Sequence, residues 1–200
     1  MNKVLPLIFC CAFLLNAQPT NNNHIATDTE IGSDHSVTQY LLHNYNRTDK
    51  VVGLSTVVLY IRASDGSQLL EFAGGPDFHW KRGFLNTYFG GTKDGRFVAA
   101  AFGEINLPGK LSLIAASDPK FPIGNSSMPR VWFRRVWIGR GHFFVRWEDL
   151  PVAGFGTVTG KIGGEVRWKL KERVEVYSYP NYDYQKEKGG ITAGIRIKIR

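Results

Sequence analysis

The sequence predicts an all-β protein: a β-sandwich or barrel of about ten mostly antiparallel strands with one short N-terminal helix. Two observations lead to this prediction. From residue 50 onward, short apolar and β-branched runs alternate with turns that contain Gly or Pro. Several of these runs alternate apolar and polar residues one for one, which is the period of a half-buried strand. Many short strands with little helix are typical of a sandwich or a barrel.

Residues 1–17 are predicted to be a secretory signal peptide. Lys3 is followed by an apolar stretch from Val4 to Leu15, and the small residue Ala17 precedes a polar segment. We therefore expect an exported protein that is secreted or extracellular, or periplasmic if the source is bacterial. Both cysteines of the chain lie inside this segment, at positions 10 and 11. Disulfides and cysteine metal sites are thus excluded from the predicted mature protein.

Residues 18–35 are polar and predict a disordered lead-in, and residues 36–200 predict a single β domain. Ser36 has the side chain of a helix N-cap and opens the only helical pattern in the sequence. The apolar stripe of that predicted helix consists of Val37, Tyr40 and Leu41.

Turn residues separate the predicted strands. Asp65-Gly66 and Asp94-Gly95 are each flanked by apolar runs, as in two-residue hairpin turns. Later in the chain, Glu165 to Tyr177 reads as one long strand. Glu172 is the one charge on its apolar face, so we expect the strand to bulge or to leave the core at that point.

The two cleanest alternating strands predict a shared core. Val166, Trp168 and Leu170 lie on one face of the long strand, and Ile195 and Ile197 lie on one face of the last strand. We expect these five residues to be buried together. If Ile195 and Ile197 are exposed instead, an interface or a contact with lipid is indicated. In the preceding hairpin, the alternation places Phe143, Val145 and Trp147 inward.

Positive charge is concentrated near the C-terminus. Residues 130–200 contain 15 Lys and Arg against 7 Asp and Glu, whereas residues 18–129 contain 9 against 10. We expect adjacent strands to send Arg134, Arg135, Arg167, Lys169, Arg196 and Lys198 to one contiguous exposed surface, and such a surface attracts polyanions. The predicted ligand-binding residues are Arg134, Arg135, Arg140, Arg146, Arg167, Lys169, Lys171, Arg196, Lys198 and Arg200.

The basic face suggests a secreted, non-enzymatic binding protein that recognises a sulfated glycan or matrix component, and nucleic acid is an unlikely ligand. An alternative is a membrane-active, host-defence or pore-forming protein that acts on anionic lipid. A third possibility is a hydrolase with its site in the 74–80 loop, where Asp77 and His79 are close in sequence. No cofactor or metal motif is visible, and we expect none.

Residues 131–168 carry a loose motif of Gly, Phe, Thr and Trp that includes Gly139, Gly141, Trp147 and Trp168. This stretch resembles the second half of the farnesoic acid O-methyltransferase-like domain. The resemblance implies a β-sandwich recognition module. It does not imply methyl transfer, because no Gly-rich cofactor loop follows a strand and opens a helix.

Two N-glycosylation sequons begin at Asn46 and Asn125. If the source is eukaryotic, both residues are predicted to be glycosylated in exposed loops.

Overall fold

The computed structural model describes residues 23–46, 52–63, 66–124, 130–151 and 158–199. Within them, twelve antiparallel strands close into one barrel, in which each strand pairs with its sequence neighbours and the first pairs with the last. A short 3-10 turn spans Pro108–Lys110. The strands are β1 (Asn23–Gly32), β2 (Val37–Asn46), β3 (Val52–Arg62), β4 (Gln68–Trp80), β5 (Gly83–Thr92), β6 (Arg96–Leu107), β7 (Leu111–Pro122), β8 (Val131–Arg140), β9 (Phe143–Pro151), β10 (Val158–Lys171), β11 (Val174–Asp183) and β12 (Lys188–Lys198).

The all-β, antiparallel prediction is confirmed, and of its two architectures the barrel is correct and the sandwich is wrong. Pairing of β1 with β12, for example Thr29 with Ile195, removes both sheet edges. A sandwich would instead leave edges and divide the strands between two sheets. In the described residues, no helix is long and apolar enough to cross a membrane.

The N-terminal predictions need correction. The predicted helix after Ser36 is strand β2, and part of the predicted disordered lead-in is strand β1. A short helix forms few hydrogen bonds, and these hardly offset the free-energy cost of its nucleation. As strands, β1 and β2 instead form backbone hydrogen bonds with a neighbouring strand on both sides along most of their length. The barrel therefore includes residues before position 36. The predicted signal peptide, residues 1–17, lies outside the described residues.

The predicted long strand from Glu165 to Tyr177 is two strands. Its chain turns at Glu172 and Arg173, so that β10 ends at Lys171 and β11 begins at Val174. Glu172, the charge that interrupted the apolar face, is an exposed turn residue. The polar interruption thus marks a hairpin rather than a bulge.

The barrel has two different ends. The terminal end holds the first residue of β1, the last residue of β12 and the tight turns at 81–82, 108–110, 141–142 and 172–173. The loop end holds the turns at 33–36, 93–95 and 184–187. Gly95 has a positive φ of 90°, which fits the predicted Asp94-Gly95 hairpin turn.

The predicted buried face of the last strands points outward. Trp168 is 49% exposed, and Ile195 and Ile197 are 39% and 38% exposed. Leu170, Phe143 and Val145 are exposed as well. The alternation was identified correctly, but the charged face lines the inside of the barrel and the apolar face its outside. Exposure of Ile195 and Ile197 is the outcome that indicates an interface or a lipid contact.

Inside the barrel, the wall from β3 to β8 carries a compact apolar cluster. Its buried members are Val57, Leu59, Ile61, Leu69, Ala73, Tyr88, Val98, Val131 and Phe133. The opposite wall is polar, and there the single hydroxyl proton of Tyr177 on β11 lies within hydrogen-bond reach of Asp28 and Glu30 of β1, with oxygen–oxygen distances of 2.6 Å and 3.0 Å. The ring of Tyr177 lies over Gly194 on β12, where an added Cβ would overlap it.

We expect Gly194→Ala to destabilise the barrel by about 1–3 kcal/mol, because the methyl group displaces the Tyr177 ring from its contacts with β1. Thermal unfolding of the folded protein measures this effect. Gly189→Ala on the same strand is the matched control, because a Cβ there meets no atom within 4 Å. Equal unfolding temperatures for the two variants would contradict the prediction.

Candidate functional site

The outer surface of the barrel carries exposed apolar side chains on nearly every described strand. Exposed aromatic side chains lie near both ends, among them Phe121 and Trp132 towards the loop end and Trp80, Phe143 and Trp168 towards the terminal end. Exposed Leu, Ile and Val side chains also lie on outward positions. An apolar surface with aromatic residues at both rims is the pattern of a barrel that contacts lipid.

One ion pair interrupts this outer surface. Among the outward positions described in β3 to β12, away from the strand ends, the charged residues are Arg134 and Asp149, and they pair with each other. The Arg134 guanidinium lies 5.1 Å from the ring centre of Trp132 and 5.7 Å from that of Trp147. Its charge is therefore both paired and shielded by aromatic rings.

The inside of the barrel contains a network of buried charges centred on Arg146 of β9. Arg146 is fully buried and lies 2.9 Å from Glu30, 2.6 Å from Glu148 and 3.0 Å from Glu165. Glu30 belongs to β1, and three strands lie between β1 and β9 in the barrel. The Arg146–Glu30 pair therefore spans the lumen instead of linking adjacent strands.

Further polar and aromatic groups surround this network. Arg135 pairs with Glu30 at 3.0 Å and with Glu148 at 3.3 Å. The Arg146 guanidinium lies 4.4 Å from the ring centre of Tyr179, and Trp137 donates a hydrogen bond to Glu165 at 3.1 Å. Each buried carboxylate is thus matched by an arginine and further donors, as burial of charge requires.

A second cross-lumen contact joins β7 to β4. Lys120 is buried and pairs with Glu71, and it also lies 2.6 Å from Asp118 of its own strand. Its ammonium group is 4.9 Å from the ring centre of Phe133. Since β5 and β6 separate these two strands, this pair also closes the lumen from the inside.

The loop-end half of the described lumen is filled by side chains. Arg146, Lys120, Tyr179, Val98 and Val131 have less than 2% of their surface accessible, so water does not reach them from the lumen. The β1–β2 turn adds a further contact, because Asp34 pairs with Lys161 of β10 at 3.3 Å.

Electrostatics favour this contact of the β1–β2 turn. Burial raises the pKa of Asp34, but hydrogen bonds from Ser36 and the charge of Lys161 outweigh burial and hold the pKa below its ordinary value. Asp34 is therefore a carboxylate at neutral pH, as its pairing with Lys161 requires.

The other half of the lumen contains a cavity of about 300 Å³. Most of its lining residues lie from the middle of the barrel towards the terminal end, and Glu30, Glu71 and Asp118 line it nearer the loop end. One wall is mostly apolar and aromatic and includes Phe84, Ala100, Phe102, Ile114 and Trp137, and it also carries the carboxylates of Glu71, Glu104 and Asp118. The opposite wall, on β10, β12 and β1, is charged and includes Arg167, Arg196, Lys198, Asp28 and Glu30.

A smaller crevice of about 110 Å³ shares two residues with the charged wall of this cavity. Arg196 and Lys198 line both spaces. The other lining residues come from the ends of β10 and β11 and the turn between them, and they are Lys169, Lys171, Glu172, Arg173, Val174 and Glu175. Basic side chains outnumber acidic ones there, so the crevice is suited to an anionic group.

The structure divides the predicted basic residues among three places, and the prediction of one contiguous exposed surface is wrong. Arg134 faces outward, whereas Arg135, Arg146, Arg167 and Arg196 face the lumen and pair with carboxylates. The remaining described residues are exposed at the terminal end, and they are Arg140, Lys169, Lys171 and Lys198. Arg200 lies outside the described residues. The role of these residues in ligand binding stays a prediction.

The 74–80 segment is part of strand β4 and not a loop, which corrects the premise of the hydrolase hypothesis. His79 and Asp77 do form a pair, with 2.6 Å between Nε2 and Oδ2. No group of three or more potential metal ligands occurs among the described residues. Asn46, a predicted glycosylation site, is the last residue of β2, and Asn125 lies outside the described residues.

Sequence reasoning missed the acidic half of the lumen network. Glu30, Glu148 and Glu165 were not identified as site residues, nor were Tyr177 and Tyr179. A signal for them exists, because Glu165 alternates with outward apolar residues in the same way as the arginines do. This alternation identifies the lumen residues only if the charged face of each strand is assumed to point into the barrel.

Comparisons with known proteins show similarity of fold. No family model matches the chain, and no curated protein matches it. The resemblance of residues 131–168 to the farnesoic acid O-methyltransferase-like domain thus stays a prediction, and these residues form β8, β9 and most of β10.

Two solved structures share the barrel at low sequence identity. One comes from a study of the mechanism behind in-meso crystallization of membrane proteins. Its TM-score is 0.58 and its sequence identity is 10%, and the match covers 88% of this chain and 83% of that chain. The other is the KdgM porin in complex with disordered oligogalacturonate. Its TM-score is 0.54 and its sequence identity is 13%, and the match covers 88% of this chain and 99% of the porin chain.

We expect Arg146→Met to destabilise the protein by about 3–5 kcal/mol, because it leaves Glu30, Glu148 and Glu165 buried without their main cation. Chemical unfolding monitored by tryptophan fluorescence measures the loss. Arg140→Met is the control, since Arg140 is exposed at a turn. Adding Glu165→Gln to Arg146→Met should restore part of the stability, and no restoration would argue against a charge effect.

Proposed function

We propose that this chain is an integral β-barrel of a bacterial outer membrane that holds an anionic ligand in its lumen without catalysing a reaction. The observation that carries the proposal is the reversed polarity of the barrel. Apolar side chains face outward and charged side chains face inward, and the one charged pair on the described outer face is self-neutralising.

Physical chemistry favours lipid as the surrounding medium. Soluble monomers rarely expose a contiguous apolar patch of more than a few hundred Å². Here exposed Leu, Ile, Val, Phe and Trp side chains occur on nearly every strand. A membrane also requires every backbone group to be paired, and the closed strand order provides this pairing. The membrane-active alternative is therefore better supported than a secreted binding protein.

The two ends suggest an orientation. Outer-membrane barrels have short turns on the periplasmic side and longer connections on the outside. The tight turns at 81–82, 141–142 and 172–173 all lie at the terminal end. We therefore assign the terminal end, and with it the mouth of the cavity, to the periplasmic side.

An anionic ligand is supported by the charge at the terminal end. Exposed basic residues there are Lys81, Arg82, Lys110, Arg140, Lys169, Lys171, Arg173 and Lys198. Their combined field attracts anions to the mouth of the cavity. A fold neighbour, the KdgM porin, is in complex with oligogalacturonate, which agrees with an anionic ligand for a barrel of this kind.

The membrane assignment is tested by substituting Ala193, an exposed outward residue in the middle of β12. We expect Ala193→Lys to cost about 2–4 kcal/mol in a lipid bilayer, because a charge then lies in the hydrocarbon region. The measurement is the folded fraction after refolding into lipid vesicles, read from the shifted mobility of unheated samples on gels.

Ala193→Leu is the matched control and should fold as well as the wild type or better in vesicles. A water-soluble barrel predicts the reverse order, since an exposed lysine in water costs almost nothing and an exposed leucine reduces solubility. If Ala193→Lys folds normally in vesicle-free buffer and the wild type does not insert into vesicles, the membrane assignment is wrong.

A further inference from the structure

We propose that the terminal-end cavity binds one small amphipathic organic anion, whose acidic group pairs with Lys198 and whose apolar body lies against Phe84, Phe102 and Trp137. The proposal deepens the proposed function and rests on its closed lumen. It names the class of ligand and the face of the barrel from which that ligand enters.

The division of the cavity into two walls is the first argument. In a twelve-strand ring, β6 and β12 lie opposite each other. β6 and its neighbours provide the apolar wall, in which the rings of Phe84 and Phe102 pack with centroids 5.6 Å apart. β12 provides Arg196 and Lys198. A ligand that satisfies both walls must be anionic at one side and apolar at the other.

The state of the carboxylates in the cavity is the second argument. Asp28 accepts from Arg196 at 2.8 Å, Glu30 accepts from Arg146 at 2.9 Å, and Glu71 and Asp118 share Lys120. Asp28 and Glu30 are therefore neutralised by arginines within the barrel, whereas Glu71 and Asp118 share a single lysine nearer the loop end. Lys198, which lines both the cavity and the adjoining crevice, is exposed and is available to an incoming anion.

Glu104 gives the third argument, because it excludes a ligand that is charged along its whole length. Glu104 lies on β6 beside Phe84, opposite Lys198. A chain with an acidic group on every unit would bring negative charge against Glu104 and against the apolar wall. The single cationic side thus favours one acidic group per ligand over an oligosaccharide polyanion.

Size and access give the fourth argument. A cavity of about 300 Å³ is at the small end of the range for ligand pockets, so it holds one small molecule. The loop-end half is closed by Arg146, Lys120 and their partners. Entry is therefore from the terminal end, past the basic crevice, and the ligand stays in the cavity instead of passing through the barrel.

The test uses 2-naphthoate as the probe, in equilibrium dialysis against the folded full chain in lipid nanodiscs, with empty nanodiscs as background. We expect saturable binding of 2-naphthoate and much weaker binding of 2-naphthalenemethanol, which has the same ring system without the charge. Digalacturonate, which is anionic without an aromatic body, should bind more weakly than 2-naphthoate.

Two variants locate the site. Lys198→Met should weaken 2-naphthoate binding about tenfold or more, since a charged contact is lost. Lys188→Met, at the other end of the same strand, should leave it unchanged. Ala100→Phe fills the apolar side of the cavity and should abolish binding while the gel shift of the folded barrel persists.

Three results would overturn the inference: equal binding of the charged and neutral naphthalenes, tighter binding of digalacturonate than of 2-naphthoate, or binding that survives both Lys198→Met and Ala100→Phe. The membrane assignment is tested separately from these binding results, because it depends on the folded fraction of Ala193→Lys in lipid vesicles. If the protein folds in buffer, the same dialysis is carried out there without nanodiscs.

Discussion

Burial of Arg146 is the constraint on which the inside of the barrel depends. A guanidinium without access to water must be surrounded by carboxylates and acceptors, or the cost of its desolvation exceeds any gain from packing. Glu30, Glu148 and Glu165 meet this need, and they do so from three different strands. Because Glu30 comes from across the lumen, the same ion pairs that neutralise the charge also decide where the lumen is closed.

The closure of the loop-end half in turn shapes the cavity. Side chains from β3 to β8 fill their part of the barrel mostly with apolar groups, apart from Arg135 and the Lys120–Glu71–Asp118 contact, while β9 to β12 and β1 fill theirs with paired charges. The boundary between these two regions runs along the barrel axis. The cavity lies on this boundary near the terminal end, and this position explains why its opposite walls differ so strongly in polarity.

Much of the fold could be predicted from the sequence, but its polarity could not. The period-2 pattern of Ile195, Arg196, Ile197 and Lys198 indicates a strand with two unlike faces. It does not say which face is inside, because that depends on whether water or lipid surrounds the barrel. Placing the apolar face of each strand inside reversed the predicted positions of Trp168 and Phe143. The strand β1 was missed because its polar residues resemble a disordered segment when their partners on β12 are unknown.

The candidate site was predicted only in part, for a related reason. Arg135, Arg146, Arg167 and Arg196 were identified as functional residues from charge alone, and the structure places all four in the lumen. Their neutralisation by Glu30, Glu165 and Asp28 depends on contacts between residues far apart in the chain. Arg134 and Arg135 show the limit of counting charges, since they are adjacent in β8 and yet one faces outward and the other faces the lumen.

The pairing of β1 with β12 also governs how the chain can assemble. Thr29 and Ile195 are neighbours in the barrel but are separated by most of the chain, so the loop that this contact closes is very long. Non-local pairings of this kind slow folding. Until the last strand arrives, β1 presents a row of unpaired backbone groups at the edge of the sheet. The incomplete barrel is thus prone to edge-to-edge aggregation until β12 pairs with β1.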